Sequence, residues 1–410
     1  MMPVIPRDTG LPGPEGSAGP AALRAAVALL AVGLALAAAF APHSPGGRSR
    51  RAGPSQRLEL GPGPGLEGFA RATAPRPFAL PVDHGPHFEY QTEWWYYTGN
   101  VVAADGRRFG FQLTFFRRGF SPGPPPGGPG LSANQVYFAH FAITEVAARR
   151  HVAAERFSRG AGRLAGATGE PFAVWLEDWR ADSRNADGSA VRLTARDRAS
   201  GLSLDLELAA AKPLVAHGDR GLSPKSGEPG NASYYVGYTR MTARGRIGTG
   251  GVGAEVTGEA WFDHEWSTSA LGPGAVGWDW FSLQLDDGRE LMHFVIRRAD
   301  GSIEPVSGGT LVERDGRTRR LLREDVSVDV LDHWTSPQSG GRYPSRWRLR
   351  IPSGELDLVV EPWLEGQEMR TSFVYWEGAV RVSGVAAGRP ASGLGYVELT
   401  GYARSMQGVF

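Results

Sequence analysis

Three short segments of the chain combine aromatic and ionisable residues at a density that a hydrophobic core alone does not require. They are residues 88–100 (FEYQTEWWYYTGN), 261–266 (WFDHEW) and 277–281 (GWDWF). Aromatic faces contact apolar ligands and stabilise cations. Ionisable groups buried among them have perturbed proton affinities and can act as acids or bases. These segments are therefore the first candidates for a functional site.

Alternation along β-strands decides which side chains in two of these segments share a face. If residues 256–266 form one strand, His264 and Trp266 lie on its apolar face. In the strand that follows, Asp279 shares its face with Phe281 and Leu283. We expect His264, Trp266 and Asp279 to face one dry cavity, where desolvation raises the pKa of the Asp279 carboxyl group.

A protonated carboxyl group in such a cavity can deliver a proton to an unactivated carbon–carbon double bond. Asp279 is the predicted acid, and the faces of Trp266 or Trp280 would stabilise the resulting carbocation. His264 would orient or deprotonate the attacking water. The alternative is structural, because most buried polar groups are satisfied within the fold. In that case Asp279 and His264 bond to each other or to the backbone, and only hold two strands together.

Other chemistries are not predicted. Asp263, His264, Glu265 and His293 carry metal-ligand groups, but neighbouring strand residues point to opposite faces, so the first two cannot easily share an ion. The chain has no Cys, and no phosphate loop, nucleophile elbow or dinucleotide motif stands in a supporting context. The 44 basic and 43 acidic residues nearly cancel, which disfavours a nucleic-acid partner. We expect no metal and no cofactor.

The elements that must position these residues are β-strands. Alternating apolar and polar residues recur at 109–115, 137–143, 202–208 and 347–351. Asp-Gly pairs suited to tight hairpins lie among or beside such runs, at 105–106, 187–188, 287–288, 300–301 and 315–316. Convincing amphipathic helices are absent. Strands joined by hairpins need closure or a second sheet to remove their edges, so the pattern predicts barrels or a sandwich.

A weak internal repeat indicates that this architecture occurs twice. WWYY at 94–97 is followed by DGR at 105–107 and an aromatic strand, and WDWF at 278–281 is followed by DGR at 287–289 and an apolar strand. The two units lie about 180 residues apart, which favours two barrels of one type. Chance similarity between hairpins is the alternative.

The start of the chain predicts export. Residues 25–40 form an uncharged apolar run after Arg24, shorter than the roughly 20 residues of a membrane span. We assign residues 1–41 to a signal peptide, with an uncleaved anchor as the alternative. The protein is then periplasmic or secreted, or held at the inner membrane by residues 25–40. Residues 42–77 are rich in Pro, Gly and Arg without periodicity, which predicts a disordered linker.

Several strings resemble motifs of the AttH-like and carotenoid 1,2-hydratase (CrtC) family of lipocalin-like proteins, often labelled predicted secreted hydrolases. They are HFEYQTEWWYYTG (87–99), YFAHFAIT (137–144), VTGEAWFDHEW (256–266), GWDWFSLQLDDG (277–288), YWEGAV (375–380) and GYVELTG (395–401). The resemblance implies an all-β chain with two consecutive lipocalin-like antiparallel barrels after the export segment. We place them at residues 78–268 and 269–410.

The hydratase branch implies cofactor-free, acid-catalysed addition of water to the terminal double bond of an acyclic carotenoid. Its His-x-Trp pair is matched by His264 and Trp266, and its acidic residue by Asp279. That branch pairs a Tyr with the acid, whereas this chain has Gly277 at the equivalent spacing. The export signal fits the AttH-like branch better than a pigment pathway.

The leading hypothesis is an exported hydratase or hydrolase-like enzyme for an apolar, isoprenoid-type substrate. Asp279, His264 and Trp266 are its predicted catalytic residues. The predicted ligand contacts are Glu93, Trp94, Trp95, Tyr97, His140, Trp278 and Trp280. The alternative is a non-catalytic carrier of a lipid or isoprenoid, working with envelope transport components. A third hypothesis, a purely structural envelope protein, predicts no usable pocket.

Overall fold

The computed structural model describes residues 66–125, 133–269 and 271–409. The predicted signal peptide or anchor at 1–41 lies outside these residues, as does the predicted linker up to residue 65. Within the described ranges, no helix has the length and apolar character needed to traverse a bilayer.

Antiparallel β-structure dominates the fold. The strands of the first sheet are β1 Thr92–Ala103, β2 Arg108–Gly119, β3 Gln135–Glu145, β4 Arg150–Arg159, β5 Ala165–Gly169, β6 Phe172–Leu176, β7 Trp179–Ser183, β8 Ala190–Asp197, β9 Leu202–Ala210, β10 Val215–Ala216, β11 Leu222–Pro224, β12 Ala232–Thr249 and β13 Val252–Ser267. Those of the second sheet are β14 Ala275–Leu285, β15 Glu290–Arg298, β16 Gly308–Val312, β17 Thr318–Leu322, β18 Ser327–Thr335, β19 Arg342–Ile351, β20 Leu356–Pro362, β21 Glu368–Arg370, β22 Val374–Ala386 and β23 Arg389–Leu399. Short 3-10 turns lie at Val82–His84, Arg323–Asp325 and Pro352–Gly354.

Both sheets place their first strand between their second and their last. The first sheet runs β4-β3-β2-β1-β13-β12-β9-β8-β7-β6-β5 and forms a nearly closed barrel. The second runs β17-β16-β15-β14-β23-β22-β20-β19-β18 and forms a half-barrel. The repeated sequence units are the equivalent β1–β2 and β14–β15 hairpins, in which Gly106 and Gly288 adopt positive φ. The predicted all-β, two-barrel class is confirmed.

Each sheet encloses its own apolar core, as the alternation predicts. In β9, the four Leu residues at alternate positions from 202 to 208 are buried in the first core. Phe281, Leu283 and Leu285 of β14 lie in the second core. Burying one face of every strand supplies most of the driving force for folding.

The outer faces of the two sheets also pack against each other. A separate cluster joins Tyr96 and Trp261 of the first sheet to Trp280 and Tyr396 of the second. The Asn100 side chain donates to the Gly395 carbonyl at 2.9 Å across this junction. The described residues accordingly belong to one compact unit, and the division into domains at residue 268 stays a prediction.

Residues 66–77, the end of the predicted disordered linker, differ from that prediction. They form no helix or strand, yet they lie against the first barrel. Phe69 and Ala72 are buried, and the Ala70 amide donates to the Glu89 carbonyl at 2.8 Å. The Arg76 guanidinium pairs with Asp83 at 2.6 Å. The prediction of disorder rested on amino-acid composition alone. Composition does not show the contacts that a segment makes with the rest of the fold.

Candidate functional site

A cleft lies between the outer faces of the two sheets. It encloses about 830 Å³ of empty space, with its open mouth included. The first sheet contributes Trp94, Tyr96, Thr114, Phe116, Tyr235, Asp263 and Glu265, together with Lys225 after β11. The second sheet and its flanking segments contribute Leu271, Trp278, Trp280, Phe294, Ile296, Phe373, Tyr375, Glu377 and Glu398. An aromatic wall with a few acids is typical of a small-molecule site.

Strand pairing places the acids of β13 beside the aromatic residues of β1. Asp263 lies opposite Tyr96, and Glu265 lies opposite Trp94. The same parity sends Trp95 and His264, which are also paired, to the interior of the barrel. The cleft is therefore built from the faces of β1 and β13 that alternation assigned away from the core.

Asp263 is a buried carboxyl group whose two oxygens each accept one hydrogen bond. The Tyr235 hydroxyl donates to Oδ2 at 2.6 Å, and the Trp261 indole N–H donates to Oδ1 at 2.8 Å. Trp280 in turn donates its indole N–H to the Tyr235 oxygen at 3.1 Å. Burial raises the pKa of Asp263 to about 8, against the opposing effect of these hydrogen bonds. At neutral pH the group is a protonated acid in an aromatic wall.

Glu377 and Glu398 form a second acidic element of the cleft. They are direct cross-strand partners on β22 and β23, and Glu377 is buried whereas Glu398 is partly buried. Burial and the neighbouring Glu398 charge raise the pKa of Glu377 well above its usual range. Burial raises the pKa of Glu398 to about 8. Like charges this close cannot both ionise cheaply, so the pair carries at most one negative charge near neutral pH.

Lys225 and Glu265 add an ion pair to the lining. Lys225 Nζ lies 2.8 Å from Glu265 Oε2, which also accepts a hydrogen bond from Ser233. The Lys225 ammonium lies 5.1 Å from the centre of the Phe294 ring. This ion pair adds fixed charges to a lining that otherwise consists mainly of aromatic residues and buried acids.

The predicted ligand contacts divide between the cleft and other environments. Trp94, Trp278 and Trp280 line the cleft. Trp95 and Tyr97 belong to the first core, because they lie on the opposite face of β1. Trp95 and Tyr97, although predicted as ligand contacts, therefore do not line the cleft.

Glu93 and His140 are fully buried in hydrogen-bonded networks. Glu93 accepts hydrogen bonds from the Arg117 guanidinium at 2.8 Å and from the His87 backbone amide at 3.0 Å. His140 contacts the hydroxyl of Tyr375, a cleft residue, at 2.6 Å. Neither Glu93 nor His140 is itself among the cleft-lining residues.

His264 and Trp266 do lie together, inside the end of the first barrel. Their ring centres are 4.7 Å apart, and the Trp266 ring stacks on His87 at 3.7 Å. His264 Nε2 is 2.9 Å from Glu93 Oε1. Burial lowers the pKa of His264. This neutral imidazole is held in a packed network rather than in the cleft.

Asp279 lies in the second sheet, among other partners. It accepts hydrogen bonds from Arg297 Nε at 2.9 Å and from the Tyr402 hydroxyl at 3.0 Å. Burial raises its pKa, as predicted. No hydrogen bond or ring contact among the described residues joins it to His264 or Trp266.

The predicted cavity shared by His264, Trp266 and Asp279 is therefore wrong, although the parity of each strand is right. The prediction treated the two strands as neighbours in one sheet. Instead β13 pairs with β1 and β12, while β14 pairs with β15 and β23. The apolar faces of β13 and β14 consequently enter two separate cores.

One group of potential metal ligands occurs within the described residues. The ligand atoms of His87, Glu93 and His264 lie within 4.8 Å of one another, and all three residues are buried. The Arg117 guanidinium already holds Glu93 Oε2 in this network, so a bound cation would lie beside a fixed positive charge. The group is better explained as a buried hydrogen-bonded network.

Five cleft residues were not predicted from the sequence: Asp263, Tyr235, Tyr375, Glu377 and Glu398. A signal for them was present. In β13 the face opposite His264 carries Trp261 together with Asp263, and β1 has aromatic residues on both faces. A strand with large aromatic residues on both faces is covered on both sides, which places a second layer over its outer face.

These features define a class: two packed lipocalin-like sheets with an acid-containing aromatic cleft between them. The AttH-like family matches residues 71–402, and the chain belongs to that family. It is similar to a crystal structure from Nitrosomonas europaea assigned to AttH, with 33% identity and a TM-score of 0.73. That match covers 82% of this chain and 100% of the other.

The fold is shared with a hydratase. The structure of kievitone hydratase from Nectria haematococca matches with 16% identity and a TM-score of 0.61, covering 82% of this chain and 97% of the other. At that identity the likeness concerns the fold. No curated protein matches the sequence.

Proposed function

We propose that this protein is a hydratase that adds water to a carbon–carbon double bond of an apolar, isoprenoid-type substrate, in the cleft between the two sheets. The supporting observation is Asp263, a carboxyl group held protonated at neutral pH inside an aromatic wall. The hydratase that shares the fold supports the reaction class. Asp263 replaces Asp279 as the proposed acid, because Asp279 is paired with Arg297 away from the cleft.

The residues of the cleft can perform the two halves of the reaction. Asp263 transfers its proton to one carbon of the double bond, and its charge is then stabilised by the hydrogen bonds from Tyr235 and Trp261. The carbocation left on the other carbon lies among ring faces such as that of Trp280. Attack by water completes the alcohol.

Products formed in heavy-oxygen water test this proposal directly. The purified protein is incubated with myrcene, farnesene, squalene and a prenylated phenol, and the extracts are analysed by mass spectrometry. We expect at least one substrate to gain one labelled water. If none does, while farnesene quenches the fluorescence of the cleft tryptophans, the carrier hypothesis is favoured, since a carrier needs the same apolar cleft but no acid.

The rate should fall with alkaline pH. Asp263 must be protonated to donate, and its pKa is raised to about 8. Turnover is therefore expected to be constant from pH 6 to about 7.5 and to decrease about tenfold per pH unit above 8. Glu398 has a similar pKa, so the observed value belongs to the coupled cleft. A rate that stays level to pH 9.5 would contradict the assignment of a carboxylic acid.

Replacement of Asp279 separates the two candidate acids. Asp279→Asn weakens the pairing with Arg297 and Tyr402, so we expect a loss of about 1–3 kcal/mol in unfolding free energy. The hydration rate should stay within about twofold, because this side chain lies outside the cleft. Urea unfolding and initial rates measure both quantities. Abolished turnover with unchanged stability would return Asp279 to the role of acid.

We also propose that the protein acts after export, on the basis of the apolar run at residues 25–40. Cell fractionation together with N-terminal sequencing of the mature protein tests this. Recovery of a full-length chain in the cytosol would contradict it.

A further inference from the structure

A chain of three polar side chains leads from the cleft to the edge of the first sheet. The hydroxyl of Tyr375, a cleft-lining residue, lies 2.6 Å from His140 Nδ1. His140 Nε2 lies 2.8 Å from Glu155 Oε1. Tyr375 belongs to the second sheet, and the other two belong to β3 and β4 of the first. The chain therefore crosses the junction on which the proposed function depends.

Glu155 sets the orientation of this chain. Its carboxylate accepts hydrogen bonds from the Ser372 backbone amide at 2.9 Å and the Ser372 hydroxyl at 2.6 Å. Although burial opposes it, the hydrogen bonds from His140 and Ser372 lower the pKa of Glu155. Because an ionised carboxylate only accepts, His140 must carry its proton on Nε2. Its Nδ1 lone pair then accepts a hydrogen bond from the Tyr375 hydroxyl.

The surroundings keep the imidazole in place and dry. His140 is fully buried, and its ring contacts those of Phe116, Phe138 and Phe373. The Glu155 side chain is 17% exposed, so the far end of the chain reaches solvent. A carboxylate, an imidazole and a hydroxyl in this order match the logic by which a catalytic triad activates a hydroxyl group.

We propose that Glu155, His140 and Tyr375 form a proton relay that activates the water added in the hydration reaction. The proposal rests on the proposed function of the cleft and assigns its base. Since the Tyr375 proton points toward His140, the oxygen lone pairs of Tyr375 are available to a water in the cleft. The Tyr375 oxygen takes a proton from that water while its own proton passes to His140 Nδ1.

The proton balance of the full reaction closes. The O–H bond of Asp263 breaks as a C–H bond forms, and the water oxygen forms the C–O bond as it loses one proton to Tyr375. The imidazolium of His140 is stabilised by Glu155, through which the proton reaches solvent. The Asp263 carboxylate then takes a proton from solvent at the cleft mouth. The net change is one water added to one double bond.

Nitrogen NMR of the free protein tests the tautomer without any substrate. The His140 signals are assigned by their loss in His140→Gln. We expect a protonated Nε2 and an unprotonated Nδ1 at neutral pH, with this preference weakened in Glu155→Gln. A proton on Nδ1, or no response to Glu155→Gln, would overturn the relay.

Kinetic measurements with farnesene in heavy water test whether the relay activates the attacking water. Tyr375→Phe should lower the hydration rate about 100-fold, but deuterium should still enter the farnesene that is recovered. In this variant Asp263, exchanged with heavy water, can still add a deuteron to the double bond, and loss of a proton from the carbocation then restores the alkene. Glu155→Gln should lower hydration in the same way by about tenfold. Tyr396→Phe is the matched control, since no residue in the described part of the chain forms a hydrogen bond with that buried hydroxyl; it should leave both rates unchanged.

The outcomes separate this proposal from the proposed function. Unchanged hydration in Tyr375→Phe refutes the relay alone. Loss of both hydration and deuterium exchange in Tyr375→Phe also refutes it, because Tyr375 would then be needed for the acid step. If wild-type protein neither hydrates nor deuterates farnesene, the proposed function fails for this substrate class, and the NMR result decides the relay's geometry.

Discussion

Asp263→Asn is expected to lower hydration by about 10³-fold and to leave farnesene binding nearly unchanged. The amide keeps the size and shape of the carboxyl group but has no proton of suitable acidity to donate. The hydrogen bonds with Tyr235 and Trp261 can be retained, because the amide oxygen accepts from one of them and the Tyr235 hydroxyl can rotate. Initial rates and quenching of tryptophan fluorescence measure the two effects.

Stability provides the control for this variant. The pKa of Asp263 is raised from 3.8 to about 8 in the folded state, so the wild type loses stability as the pH rises through this range. The Asn side chain stays uncharged, so the stability of the variant does not fall in this way over the same pH range. The variant should therefore be more stable than the wild type at pH 8, and the difference in stability should be smaller at pH 4. A variant that shows this stability profile and still hydrates farnesene at the wild-type rate would contradict the assignment of Asp263 as the acid.

Arg117→Met is expected to cause the largest loss of stability, about 3–5 kcal/mol. The guanidinium is fully buried and pairs with Glu93 at 2.8 Å. It also donates to Gln135 Oε1 at 2.7 Å and to the backbone carbonyls of His87 and Tyr90 at 2.8 and 2.9 Å. Its removal leaves a buried carboxylate without its principal counter-charge. Urea unfolding followed by tryptophan fluorescence measures the loss.

Two further variants test whether the lost ion pair is the cause. Arg180→Met removes an Arg from a partly exposed pair with Asp182 and should cost less than about 0.5 kcal/mol. Adding Glu93→Gln to Arg117→Met should recover part of the loss, because the unpaired charge is then removed as well. Strict additivity of the two changes would show that packing, not charge, dominates.

The periodicity of the sequence was sufficient to predict the local structure, namely the strand faces and the hairpins. The alternation in 202–208 and 256–266 correctly predicted which side chains of β9 and β13 point into a core. The Asp-Gly pairs correctly marked hairpins such as β1–β2 and β14–β15. These features depend on residues within a few positions of one another, so a single segment contains the information.

The site itself depended on pairings between distant segments. His264 and Asp279 both point to apolar faces, as predicted, but β13 closes on β1 while β14 closes on β23. Alternation assigns two faces to each strand, yet it does not say what covers either face. Only the tertiary structure shows that the second sheet covers Asp263 and Tyr96. That cover removes water from groups which the strand pattern alone places in solvent, and so creates the acid cleft.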